Sequence, residues 1–250
     1  MIEITNQKIE GWEHAIRGMR NPMNSWDKSD SVVGCYIDEN DNVTAGHNVG
    51  DFTECDECSW CEPLCYGAPY RMSYKVGPND LLLMKKLSTA GTDHRKFMRM
   101  IVVYADITAP LYWWKEYDTY KIGTVANSCS TMHKIHSEKI TADDFSFDYL
   151  GLELKDTDYE DGKCRLVDWT SHVVDMCEQL RTLFVETKDI RYWRTLIQLL
   201  PESYNQKRTV MLNYEVLCNI YKSRKNHKLD EWREFCSWIE TLPNSELIKE

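Results

Sequence analysis

The pattern of apolar and polar positions along the chain alternates between two periods. Ile2 and Ile4 alternate with polar neighbours and predict a short strand, followed by a helix over Gly11 to Met19 with Trp12, Ile16 and Met19 on one face. From Asn21 to about Lys75 regular periodicity is lost, and Gly, Asn, Ser and acidic residues dominate. This stretch reads as a loop-rich insertion with short strands near Val32-Val33 and over Tyr70 to Tyr74. After Gly77-Pro78 a helix is expected, capped by Asn79 or Asp80, with Leu81 to Met84 and Leu87 as its apolar side and Gly91 as its end. Phe97 to Ile107 reads as a buried strand broken by Pro110, and Leu111 to Tyr120 as an aromatic helix. Asp143 to Gly162 is a polar connection. Helical spacing then returns over Val173 to Phe184, Arg191 to Leu200, Ser203 to Ser223 and Leu229 to Ile239. Strands early and helices late give an α+β pattern, with residues 1–250 as one domain and a Cys-rich acidic insertion at about 21–75.

Composition narrows the classes of function. The 250 residues carry 40 acidic and 30 basic side chains, a net charge of −10, which argues against a nucleic-acid polymer as partner. Residues 21–75 hold ten acids against three bases, so −7 of that charge sits in the insertion and −3 elsewhere; a local pocket for a nucleotide stays open. Nine Trp, 14 Tyr and six Phe exclude an intrinsically disordered chain. No window reads as a membrane span, and the start lacks the charged and apolar regions of a secretory signal, so a cytoplasmic location is expected.

Ten cysteines in a reducing compartment point to metal or chemistry rather than disulfides. Cys55, Cys58, Cys61 and Cys65 have C-x2-C-x2-C-x3-C spacing. Four thiolates that close suit a soft ion, zinc first and an iron–sulfur cluster second; four free thiols in a loop is the plain alternative. His133 and His136 could share a helix face but do not make a site by themselves. The block of Tyr112, Trp113, Trp114, Tyr117 and Tyr120 could stack on a flavin or a base, or pack as core. G-x-S-x-G, Walker and G-x-G-x-x-G motifs are absent from the sequence.

The run Leu199-Leu200-Pro201, then Asn213-Tyr214-Glu215-Val216-Leu217-Cys218-Asn219, then Arg224, His227 and Trp232 resembles the flavin-dependent thymidylate synthases. Gly91-Thr92-Asp93-His94 ahead of a strand and Ala109-Pro110 resembles that family's Gly-His…Ala-Pro block. The resemblance covers about Asp80 to Pro243. It implies a mixed sheet with a helical C-terminal part, a homotetramer with flavin sites at subunit contacts, and FAD held against dUMP. It further implies transfer of a one-carbon unit from methylenetetrahydrofolate to C5 of the pyrimidine, with NADPH as reductant. By position, Asn213, Asn219 and His227 would meet FAD, and His94 would lie in the flavin and folate region. Arg224 would hydrogen-bond the pyrimidine and stabilise charge as C5 becomes nucleophilic.

Departures from the family pattern are equally specific. Its Arg-His-Arg signature falls on Thr119-Tyr120-Lys121, so only Lys121 keeps a positive charge for the cofactor. The signature Ser falls on Cys129, beside Ser130, and these two carry the substrate-binding position. Two further arginine positions fall on Thr131 and Ile197, with Arg194 or Arg208 as substitutes nearby. The resemblance therefore implies a flavin-dependent enzyme acting on a pyrimidine nucleotide. The alternatives are a catalytically silent nucleotide- or protein-binding member of the same fold and a metal-dependent interaction module.

Overall fold

The computed structural model describes residues 2–37, 43–48, 73–155 and 163–249. Its strands are β1 (Glu3–Glu10), β2 (Val32–Ile37), β3 (Val43–Asn48), β4 (Ser73–Lys75), β5 (Val102–Pro110), β6 (Thr124–Ser128), β7 (Glu153–Lys155), β8 (Lys163–Arg165) and β9 (Asn205–Asn213). Its helices are α1 (Trp12–Arg20), α2 (Pro78–Thr89), α3 (Leu111–Tyr117), α4 (Thr131–Lys134), α5 (Leu166–Thr187), α6 (Ile190–Leu199), α7 (Tyr214–Arg224), α8 (Asp230–Glu240) and α9 (Glu246–Lys249). The class is α+β. The central sheet has the order β1-β5-β9-β6, and each of its pairings is antiparallel, which corrects the expected mixed sheet.

That sheet is buried on one face. Val103, Ala105, Ile107 and Ala109 of β5 and Val210 and Leu212 of β9 point inward, and the residues between them do not. The inward face packs with Trp113 and Trp114 of α3, Leu217 and Ile220 of α7 and Trp232 and Phe235 of α8 in one core. A half-buried antiparallel sheet requires this alternation. A second, smaller cluster joins Ile135, Ile140 and Phe145 to Cys177 of α5 and Leu196 of α6. Trp113, Trp114 and Tyr117 are buried, so the aromatic block is largely core. Cys177, Cys218 and Cys236 are buried apolar fillers.

Three boundaries moved, each for a tertiary reason. Ser203 to Ser223 is not one helix: β9 runs to Asn213, pairs with β5 over nine residues, and only then turns into α7. The stripe Val210, Tyr214, Leu217 and Tyr221 is nevertheless buried, because the inward face of the strand continues into that of the helix. Phe97 and Met98 lie in a 3-10 turn over Arg95–Arg99, and the strand begins five residues later than Phe97, at Val102. Neither Asn79 nor Asp80 caps α2. Its amides at Asn79 and Asp80 donate to the Asp30 carboxylate at 2.8 and 3.0 Å, a cap delivered from 50 residues away.

Asp80 serves instead as a buried anchor. Its carboxylate accepts from Arg20 Nε at 2.6 Å, Ser29 Oγ at 2.7 Å, and Ser31 Oγ and N at 2.6 and 3.2 Å. β2 pairs with both β3 and β4, so the segment from Val32 to Lys75 begins and ends on neighbouring strands above this anchor. Cys55, Cys58, Cys61 and Cys65 lie outside the described residues. Among the described residues no helix is long and apolar enough to cross a membrane.

Candidate functional site

Helix α7 organises most of the candidate residues. Asn213 is its N-cap: Oδ1 accepts from the Val216 amide at 2.9 Å, so this side chain is committed to the helix. The loop after α3 runs alongside. Gly123 accepts from the Asn213 amide at 3.2 Å, and its positive φ of 80° with the Asn213 side chain against it leaves no room for a Cβ. At the other end of α7, Tyr120 Oη accepts from Arg224 Nε at 2.9 Å. The loop that carries Lys121 thus touches both ends of α7, with Gly123 at Asn213 and Tyr120 at Arg224.

Arg224 is not paired with Asp230 or Glu231, as a helix-terminal arginine would be. Its Nη1 donates to Glu116 Oε1, and its guanidinium lies 5.0 Å from the Trp232 ring and 5.7 Å from that of Tyr120. Glu116 Oε2 accepts from Trp232 Nε1 at 2.5 Å, and His227 Nε2 stands 3.5 Å from Oε1. Burial works against the charge on Arg224, but Tyr120 and Glu116 outweigh it and raise its pKa. Glu116 was missed by sequence reasoning. A single carboxylate on this aromatic helix carries no distinguishing local signal.

Lys121 lines a cavity of about 300 Å³ with Tyr117, Asp118, Tyr120, Thr124, Ala126 and Arg208. Arg208 lies 4.2 Å from the Trp114 ring and donates to Asp118 at 2.8 Å and to Gln206 at 2.9 Å. The Tyr117 hydroxyl is buried without a hydrogen-bond partner among the described residues. Burial pushes this phenol up from its ordinary pKa, so at neutral pH it is a donor. The cavity thus carries two cations, Lys121 and the Asp118-paired Arg208, beside the half-buried Tyr120 ring. Of the two nearby arginines, Arg208 lines this cavity, whereas Arg194 is exposed on α6.

Cys129 and Ser130 sit beyond the end of β6 on a second cavity of about 270 Å³, with Lys134, Lys139 and Lys207 among its lining. Ser130 Oγ is occupied as the cap of α4, accepting from the His133 amide at 3.1 Å. Gln206 links this cavity to the first: its Nε2 donates to the Cys129 carbonyl at 3.0 Å and its Oε1 accepts from Arg208. His94 and Asn219 form a separate, exposed group. Arg95 reaches Asn219 Oδ1 at 3.4 Å and Glu215 at 3.2 Å, and Arg99 also pairs with Glu215. Burial opposes the Glu215 charge, yet the two arginines hold its pKa below the usual range. His133 and His136 form no metal cluster; among the described residues no group of three or more His, Cys, Asp or Glu could hold one.

Comparison with solved structures gives a consistent answer. The flavin-dependent thymidylate synthase ThyX of Helicobacter pylori, complexed with FAD and dUMP, superposes with a TM-score of 0.62 at 14% identity, over 100% of this chain and 97% of that one. A second structure of the same enzyme gives 0.59 over 99% and 97%. The fold is that of the flavin-dependent thymidylate synthases. The UMP/dUMP methylase PolB of Streptomyces cacaoi, bound with 5-Br dUMP, gives 0.54 at 11% identity over 99% and 93%. No family model and no curated protein matches the chain. The thymidylate-synthase-like fold thus spans essentially the whole chain, while sequence identity is too low to transfer activity with it.

Proposed function

We propose that this protein binds a pyrimidine nucleotide, dUMP by default, next to FAD, and acts at C5 of the base with a folate one-carbon donor. The observation that carries the proposal is the grouping of Lys121, Arg208 and Arg224 around the phenols of Tyr117 and Tyr120, on a fold matched over the full chain. Lys121 and Arg208 hold phosphate groups. Arg224 hydrogen-bonds the pyrimidine and stabilises negative charge on the ring as C5 becomes nucleophilic. Cys129 and Ser130 bound the substrate on the far side of Gln206. His94, Asn219, Asn213 and His227 flank the flavin region. FAD, when bound and reduced by NADPH, supplies hydride. The cavity beside Lys121 takes part of a nucleotide rather than a whole dinucleotide, which supports a site completed by other subunits of a homotetramer.

A second reading rests on Arg224 itself. Its pairing with Glu116 and Tyr120 favours a catalytically silent nucleotide binder. The decisive experiment is the absorption spectrum of the purified protein after FAD addition and gel filtration, followed by tritium release from 5-tritiated dUMP with reduced flavin and methylenetetrahydrofolate. Flavin bands with tritium release support the enzyme, and flavin or nucleotide binding without release supports the binder. A colourless protein that takes up no FAD overturns the flavin proposal. For the insertion we propose zinc on Cys55, Cys58, Cys61 and Cys65. Metal content unchanged in a Cys58→Ser, Cys61→Ser variant rejects it.

A further inference from the structure

The proposed function uses Arg224 and leaves Glu116 without a role. Two elements donate N–H groups to this one carboxylate, and a third brings a histidine nitrogen to 3.5 Å from it. Arg224 Nη1 comes from the end of α7, Trp232 Nε1 from α8, and His227 Nε2 from the connection between them. His227 Nδ1 accepts the Leu229 amide at 3.2 Å, which leaves the ring proton of the neutral imidazole on Nε2, facing Glu116. Every group that meets the carboxylate is therefore a donor. Only an ionised carboxylate accepts at both oxygens; a glutamine in the same place turns its NH2 toward a donor.

The arrangement has a consequence for Arg224. A solvated arginine samples many rotamers and gives up that freedom on binding. This one is tied at Nε by Tyr120 and at Nη1 by Glu116, is flanked by two rings, and is 18% exposed. With Nε and Nη1 engaged, the N–H groups left over present one fixed, planar edge, which suits the planar edge of a base. Resting on the nucleotide reading above, we propose that Glu116 is a positioning residue for Arg224, one that fixes the guanidinium and assigns it to the base rather than to the phosphate.

The test compares dUMP with 2-deoxyribose 5-phosphate, which lacks the base, by calorimetric titration of the full chain. In the wild type the ratio of the two dissociation constants reports base recognition. Glu116→Gln is expected to shrink that ratio about tenfold by weakening dUMP while the sugar phosphate binds as before or more tightly. Trp232→Phe added to Glu116→Gln removes one donor, lets the glutamine oxygen face Arg224, and is expected to recover part of the ratio. A merely structural role would weaken both ligands together. In the wild type alone, the Arg224 Nε–H signal in arginine-selective NMR is expected to exchange with solvent more slowly than that of an exposed arginine. Equal ratios in wild type and Glu116→Gln, or an Arg224 signal that exchanges like an exposed one, overturn the inference. Failure of the wild type to bind dUMP at all overturns the nucleotide reading instead.

Discussion

Replacing Asp80 by Asn tests the buried anchor that ties α1 and α2 to the start of β2. Asp80 is fully buried, and the Arg20 side chain paired with it is 6% exposed. Oδ1 takes Arg20, while Oδ2 takes Ser29, the Ser31 hydroxyl and the Ser31 amide. The least harmful placement of the new amide keeps oxygen on Arg20 and turns NH2 toward the serines. The two hydroxyls can rotate to accept, but the Ser31 N–H then meets a donor. The larger effect is the guanidinium, left charged and buried without a counter-ion. Breaking such a pair from one side removes about 3–5 kcal/mol of stability. With a urea m-value near 3 kcal/mol/M, the midpoint should fall by about 1 M or more. Arg20→Met added to Asp80→Asn removes the stranded charge and should regain at least half of that loss. Urea unfolding followed by tryptophan fluorescence reads both. A loss under about 1 kcal/mol, or a double variant no better than the single one, would refute the claim that an uncompensated buried charge dominates.

Two further predictions follow from the titratable groups. Glu178 is held down to about 2, chiefly by Arg181, against the cost of burial and with help from the Ile140 amide. A depressed carboxylate stabilises above its unfolded pKa. The contribution, about 3 kcal/mol at most, is present at pH 7 and lost as pH falls from about 4.5 toward 2. The stability gap between wild type and Glu178→Gln, measured by urea unfolding across that range, should close accordingly, and a pH-independent gap would count against it. Among Cys129, Cys177, Cys218 and Cys236, only Cys129 is exposed, and Cys236 is pushed up to about 11, mainly by burial. Iodoacetamide at pH 8 followed by peptide mapping should mark Cys129 at least tenfold faster than the other three, roughly as exposure and thiolate fraction dictate. Equal labelling of native Cys236 would contradict its burial.

Legibility in the sequence varied with the range of the forces involved. Helices α1, α5, α6 and α8 could be read because a 3.6-residue stripe is a local pattern. β9 could not, since Val210, Tyr214, Leu217 and Tyr221 also fit a helical stripe, and only pairing with β5 decides for the strand. The cap of α2 was misplaced because its acceptor, Asp30, lies far upstream. In the candidate site, the order of motifs singled out Arg224 and Lys121. It did not single out Glu116, because a carboxylate on an aromatic helix has no distinguishing local pattern.

The sequence by itself determined the α+β class, the concentration of cysteines and acids in residues 21–75, the acidic balance and the likeness to flavin-dependent thymidylate synthases. These depend on composition and on spacing between near neighbours, which a chain carries before it folds. The tertiary structure alone decided what the polar side chains meet. It turned Asp80 from a cap into a buried anchor, spent Asn213 on a helix terminus, set Arg208 beside Lys121, and tied Arg224 to Glu116. Such pairings join residues as far as 108 positions apart, and the free energy of a buried charge depends on its partner in space.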